Sequence, residues 1–91
     1  MKILYFSSRS CVPCRTFGPV LERVVKFLSK KVTLEKYLIE ESYQLCSKYH
    51  IRSVPSIVAV DQSGAIASLI GNRSESEILK FCEQALSYCD E

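Results

Sequence analysis

The 91-residue chain has no tryptophan, a single histidine, a single methionine, and only three glycines and three prolines. Apolar residues make up 47% and charged residues 24%, a globular balance that excludes disorder and needs no disulfide staples to complete a core. An excess of one charge sign is also missing. Twelve Lys and Arg against ten Asp and Glu leave a net +2, and the basic residues are spread from Lys2 to Lys80 without a run. That excludes a nucleic-acid surface as the expected role. No long apolar run exists at the start, where MKILYFSSRS turns polar too soon for a signal peptide or a membrane span. A soluble, cytoplasmic protein with no membrane partner is expected. The five cysteines form an odd set, so a fully paired extracellular framework would need an intermolecular bond. In a reducing cytosol most of them are expected as free thiols.

What is present reads as one domain over residues 1–91, with a monomer expected. KILYFS, residues 2–7, is a short apolar run that predicts a buried strand. Phe17, Val20, Leu21, Val24, Val25 and Leu28 then fall at helical spacing. They predict a helix of about 17 residues beginning near Pro13, kinked at Pro19. VTLEKYL, residues 32–38, alternates as a strand, with Lys36 on the same face as Val32, Leu34 and Leu38. Residues 41–49 suit a short helix turning Leu45, Cys46 and Tyr49 inward, and residues 56–70 read as a hairpin around QSG. Ser74 and Glu77 have capping-box spacing ahead of a stripe of Ile78, Phe81, Cys82, Ala85, Leu86 and Cys89. The predicted architecture is α/β, in the order β-α-β-α-β-β-α. A four-stranded mixed sheet, its first two strands parallel and its last two antiparallel, is covered by helices on both faces.

The chemistry centres on Cys11-Val12-Pro13-Cys14. Two thiols one turn apart at a helix start have a physical reason to react. The helix N-terminus carries partial positive charge that stabilises a thiolate at Cys11, and Arg9 and Arg15 are expected to push the same way. Cys11 is the expected nucleophile. Cys14, expected to be the more buried, would resolve the mixed disulfide from within. In YHIRSVPS, residues 49–56, Val54-Pro55 is a candidate cis bond that would free the Val54 backbone for an extended substrate strand. A trans proline opening an edge strand is the other reading.

Taken together, these residues resemble the thioredoxin family. Cys11-Val12-Pro13-Cys14 matches its redox motif, with Val12 where glycine is usual. Phe17 and Pro19-Val20-Leu21-Glu22 resemble its first active-site helix, and Leu45-Cys46 through Ile51 and Val54-Pro55-Ser56 its approach to the cis-proline. Gly64 and Gly71 resemble its hairpin and the turn beyond. The likeness is to a short form, similar in extent to small thioredoxins and glutaredoxins, that lacks the usual first strand and helix. It implies a thioredoxin-like fold and a protein disulfide reductase working through the Cys11–Cys14 pair. Val12, Pro13, Val54 and Pro55 would line the substrate groove. No bound cofactor is implied; NADPH would act indirectly, through thioredoxin reductase as partner, and the substrates would be disulfide-containing proteins. Two departures stand out. Ser7 and Ser10 occupy positions where tryptophans usually flank the motif, and Tyr5 stands where the family keeps a buried aspartate. Lys36 matches the lysine that pairs with that acid, so Tyr5 and Lys36 are the expected tuning residues. With the acid gone, the Lys36 amine is expected to reach the Tyr5 hydroxyl or solvent.

Other readings compete. Cys11, Cys14, Cys46 and His50 are ligand types for a tetrahedral zinc, although a long helix and a strand separate the two halves. No metal is the expectation. Cys46, Cys82 and Cys89 suit small buried apolar positions, Cys89 being the one near enough to the end to be exposed. His50 suits an exposed turn. A glutaredoxin-like enzyme recharged by glutathione, or a thioredoxin-fold binding subunit without redox turnover, are the alternative functions.

Overall fold

The computed structural model describes residues 1–89. The elements are β1 (Lys2–Ser7), α1 (Val12–Phe27), β2 (Thr33–Leu38), a 3-10 turn (Ile39–Glu41), α2 (Tyr43–Lys48), β3 (Ser56–Asp61), β4 (Gly64–Ile70) and α3 (Glu75–Ser87). The four strands form one mixed sheet in the order β2-β1-β3-β4. β1 runs parallel to β2 and antiparallel to β3, and β3 pairs antiparallel with β4. This is the expected α/β arrangement.

Period-two alternation in β1 divides the core. Ile3 and Tyr5 face α1 and α3, where they meet Phe17, Leu21, Val24, Ile78, Cys82 and Ala85. Leu4 and Phe6 face the other side with Val58, covered by Tyr37, Leu45, Cys46 and Tyr49 from β2 and the α2 region. β1 is therefore apolar on both faces because helices cover both. The run of four buried residues from Ile3 to Phe6 follows from that position.

Local signals account for the helix ends. Ser74 caps α3, accepting from the Glu77 N–H at 3.2 Å while Glu77 accepts from the Ser74 N–H at 3.0 Å. α1 runs through Pro19, which is exposed. The short helix expected over 41–49 forms as α2, and Glu41 belongs instead to the preceding 3-10 turn. α2 closes with a Schellman motif, the His50 N–H donating to the Ser47 carbonyl and the Ile51 N–H to the Cys46 carbonyl at 2.8 Å. His50 takes the left-handed position of that motif, at φ 57°. The exposed turn expected for this histidine is thus a helix stop that launches the segment ahead of β3.

Candidate functional site

The strand register gathers four loops at one end of the sheet. Ser7 pairs with Leu38, Phe6 with Ser56, and Ser56 with Ile70. The segments 8–11, 39–42, 50–55 and 71–74 all open there. Cys11 lies in the first, joined by a disulfide to Cys14 with Cα atoms 5.3 Å apart. Its backbone is extended and it caps α1: the Cys14 N–H donates to the Cys11 Sγ at 3.2 Å. Pro13 fits the first turn, where its missing N–H has no helical partner to lose, and that turn holds no acidic residue. The same N–H and the helix dipole would face a Cys11 thiolate once the bond is reduced.

Cys11 and Cys14 are almost equally covered, at 9% and 8% exposure, so burial barely separates them. Position on the helix distinguishes them. Cys11 receives the helix N–H, whereas Cys14 sits one turn in.

Beneath the pair lies Tyr5. Its hydroxyl donates to the Cys14 carbonyl at 3.4 Å, and its ring stacks at a tilt on Phe17 with centroids 5.5 Å apart. Burial pushes its phenol above the ordinary range, offset in part by a hydrogen bond with Ser7, so the group is a neutral donor at physiological pH. Gly18 lies beside it: a Cβ there would make ordinary contact, 3.6 Å from the Tyr5 oxygen. No sequence signal marks this pairing, because the two residues meet only when α1 packs on β1.

Two expectations about charge are refined. Of the two places expected for the Lys36 amine the structure takes the solvent side: the residue is exposed and its amine pairs with Glu22 of α1. The cation has a counter-ion after all, supplied by the helix that crosses its strand. Arg9 is likewise occupied. Its guanidinium pairs with Glu40 and Glu41, and its backbone N–H donates to Glu40 at 3.0 Å. Two carboxylates from the 3-10 turn offset the charge expected to favour the Cys11 thiolate, leaving Arg15 as the flanking arginine with no ion pair among the described residues.

The remaining predicted groove residues lie in the same cluster of loops. Val12 and Pro13 are exposed on the first turn of α1. Val54-Pro55 is cis, with Val54 half-buried and Pro55 buried at the entry to β3. The next loop is tied to it by Gly71, whose N–H donates to the Pro55 carbonyl at 2.8 Å. Gly71 has φ 92°, a conformation that requires glycine here. Ser8 and Ser10 bond each other at 3.2 Å, giving the approach to Cys11 a polar rim.

The other cysteines are structural in placement. Cys82 is fully buried and its thiol is pushed up to about 11 by that burial, with the Glu83 charge adding. Cys46 is half-buried against the second core face, and burial raises its thiol too. Cys89, the candidate for exposure, is half-buried against the first. Cys46 and His50 line one cleft while Cys11 and Cys14 are bonded to each other. Among the described residues, no group of three or more His, Cys, Asp or Glu is placed to hold a metal. No helix is long and apolar enough to cross a membrane, among the described residues.

A disulfide closed across the first turn of a helix, at the loop-bearing end of a four-stranded α/β sheet, defines a dithiol exchange protein. The family model for thioredoxin matches residues 1–84. Thioredoxin of Buchnera aphidicola subsp. Acyrthosiphon pisum is 32% identical over 82 residues, covering 90% of this chain and 76% of that one. Thioredoxin of Rhodospirillum rubrum is 31% identical over 81 residues, covering 89% and 78%. Thioredoxin 1 from Thermosipho africanus has a similar fold, with a TM-score of 0.82 at 24% identity and 97% of each chain covered. The chain belongs to the thioredoxin family. It is a thioredoxin-type dithiol–disulfide oxidoreductase.

Proposed function

We propose that the chain reduces protein disulfides with Cys11 as nucleophile and Cys14 as resolving thiol. The observation that carries the assignment is the Cys14 N–H on the Cys11 Sγ at the N-terminus of α1, a donor set for a thiolate. The Cys11 thiolate attacks one sulfur of a target disulfide. A Cys11–target bond forms, the target S–S bond breaks, and the departing sulfur leaves as a thiolate that takes a proton. Cys14 then gives up its proton and attacks the Cys11 Sγ, releasing the second target thiolate and leaving Cys11 and Cys14 oxidised. Two electrons pass to the target in each cycle.

Val12, Pro13, Val54 and Pro55 form the groove that receives the target segment. The exposed first turn of α1 and the Val54-Pro55 entry to β3 support this, since both open at the same sheet end as the disulfide. Tyr5 is the tuning residue. Its buried hydroxyl on the Cys14 carbonyl holds the resolving cysteine's peptide and puts no ionised side chain beneath it. Recharging is by a thioredoxin reductase that draws electrons from NADPH, with no cofactor held by this chain.

Insulin disulfide reduction tests the assignment, driven separately by NADPH with thioredoxin reductase and by glutathione with its reductase. Wild type turns over in the first system, and Cys11→Ser and Cys14→Ser do not. Cys14→Ser accumulates a target mixed disulfide. Turnover that survives Cys11→Ser overturns the assignment, and turnover in the glutathione system alone overturns the recharging route.

A further inference from the structure

We infer that the groove selects disulfides carried on acidic segments, with Arg15 and Arg52 as its specificity-determining residues. The inference rests on the dithiol reductase reading above and deepens it. The carboxylates at the loop-bearing end of the sheet are engaged within the chain. Glu40 and Glu41 are held by Arg9, Glu75 by Arg23, and Glu77 by the Ser74 N–H and Arg73. Arg15 and Arg52 are exposed and belong to no ion pair among the described residues. One follows Cys14 directly in α1. The other stands two residues ahead of Val54, so these two cations lie on the two segments that form the groove.

Arg52 also lines a surface cleft of about 470 Å³ with Ile39, Tyr43, Cys46, His50 and Ile51, a lining that contains no carboxylate. A glutamate or aspartate beside the target cystine meets a guanidinium there and no opposing acid. A basic flank meets two unpaired arginines. Charge of this kind acts mainly on encounter and on discrimination between partners, and salt weakens it.

The test uses three peptides of equal length, each with one internal disulfide, flanked by Glu, Ser or Lys. Protein reduced beforehand and freed of reductant is mixed with each in a single turnover, so no recharging enzyme takes part. The Glu peptide is expected to react about 10-fold faster than the Lys peptide at low ionic strength. The ratio should fall toward unity as salt rises to about 0.5 M. In Arg15→Gln/Arg52→Gln the low-salt ratio drops to about 3-fold or less. In Lys30→Gln/Lys31→Gln, which removes the same charge at the opposite end of the sheet, the ratio is retained. Equal rates for the three peptides overturn the inference while leaving the reductase reading intact. No reduction of any peptide overturns that reading itself. A ratio that survives the arginine double variant, or falls equally in the lysine one, overturns the assignment to Arg15 and Arg52.

Discussion

Replacing Tyr5 separates what its hydroxyl does from what its bulk does. In Tyr5→Phe the ring stays against Phe17 and Gly18 and only the donor to the Cys14 carbonyl is removed. That bond is long, at 3.4 Å, and the Cys14 carbonyl lies within the first turn of α1, where it also accepts from the helix. The loss is therefore at the low end for a buried hydrogen bond, about 0.5–1 kcal/mol, or about 2–8 °C in Tm for a domain of this size. Tyr5→Asp is a different perturbation. It empties most of the ring's volume at a position only 5% exposed and puts an ionisable carboxyl there, whose burial raises its pKa. The expected cost is about 3–5 kcal/mol, enough to need a stability measurement beside the activity. The decisive assay is the pH profile of disulfide reduction between about pH 5 and 9. Wild type and Tyr5→Phe should share one rising limb, from the Cys11 thiol, because a buried phenol does not ionise in that range. Tyr5→Asp should add a second ionisation. An unchanged profile in a folded Tyr5→Asp refutes the view that this position governs proton handling at Cys14.

Three further outcomes follow from packing and burial. Gly18→Ala should stabilise by about 0.5–1 kcal/mol in thermal melts, since the new methyl makes ordinary contact at 3.6 Å with Tyr5 and a helical glycine is removed; destabilisation would show that the Tyr5 contact is tighter than the geometry indicates. His50→Gly should stabilise by about 1 kcal/mol in denaturant titrations, by relieving the left-handed residue of the Schellman motif at φ 57°. Cys82, raised from 9.0 to about 11, holds its proton more tightly folded than unfolded, so its contribution is full below pH 9 and lost as pH rises through 11. Up to about 2–3 kcal/mol should disappear over that window in wild type, and Cys82→Ala should show a flatter alkaline limb.

Much of the fold was legible along the chain because its causes are short-range. The stripe from Phe17 to Leu28 produces α1, the Ser74 and Glu77 spacing produces a capping box that forms as written, and the run from Ile3 to Phe6 produces the central strand. The catalytic pair was legible for the same reason: two cysteines one turn apart at a helix start meet without help from the rest of the molecule. The stop at His50 was readable only as a turn, since a histidine does not announce the left-handed conformation that glycine would.

What the sequence determined by itself is thus the set of elements, their order, and the Cys11–Cys14 chemistry, all governed by neighbours within a turn or a strand. Tertiary structure decided where the charges and the buried phenol go. Arg9 finds Glu40 and Glu41 more than thirty positions away, and Lys36 finds Glu22 because α1 crosses the sheet beside β2. Tyr5 reaches Cys14 because α1 packs on β1. Each of these partnerships joins segments brought together only by packing, so periodicity along the chain carries no trace of them. By the same route Arg15 and Arg52 are left without an ion pair among the described residues.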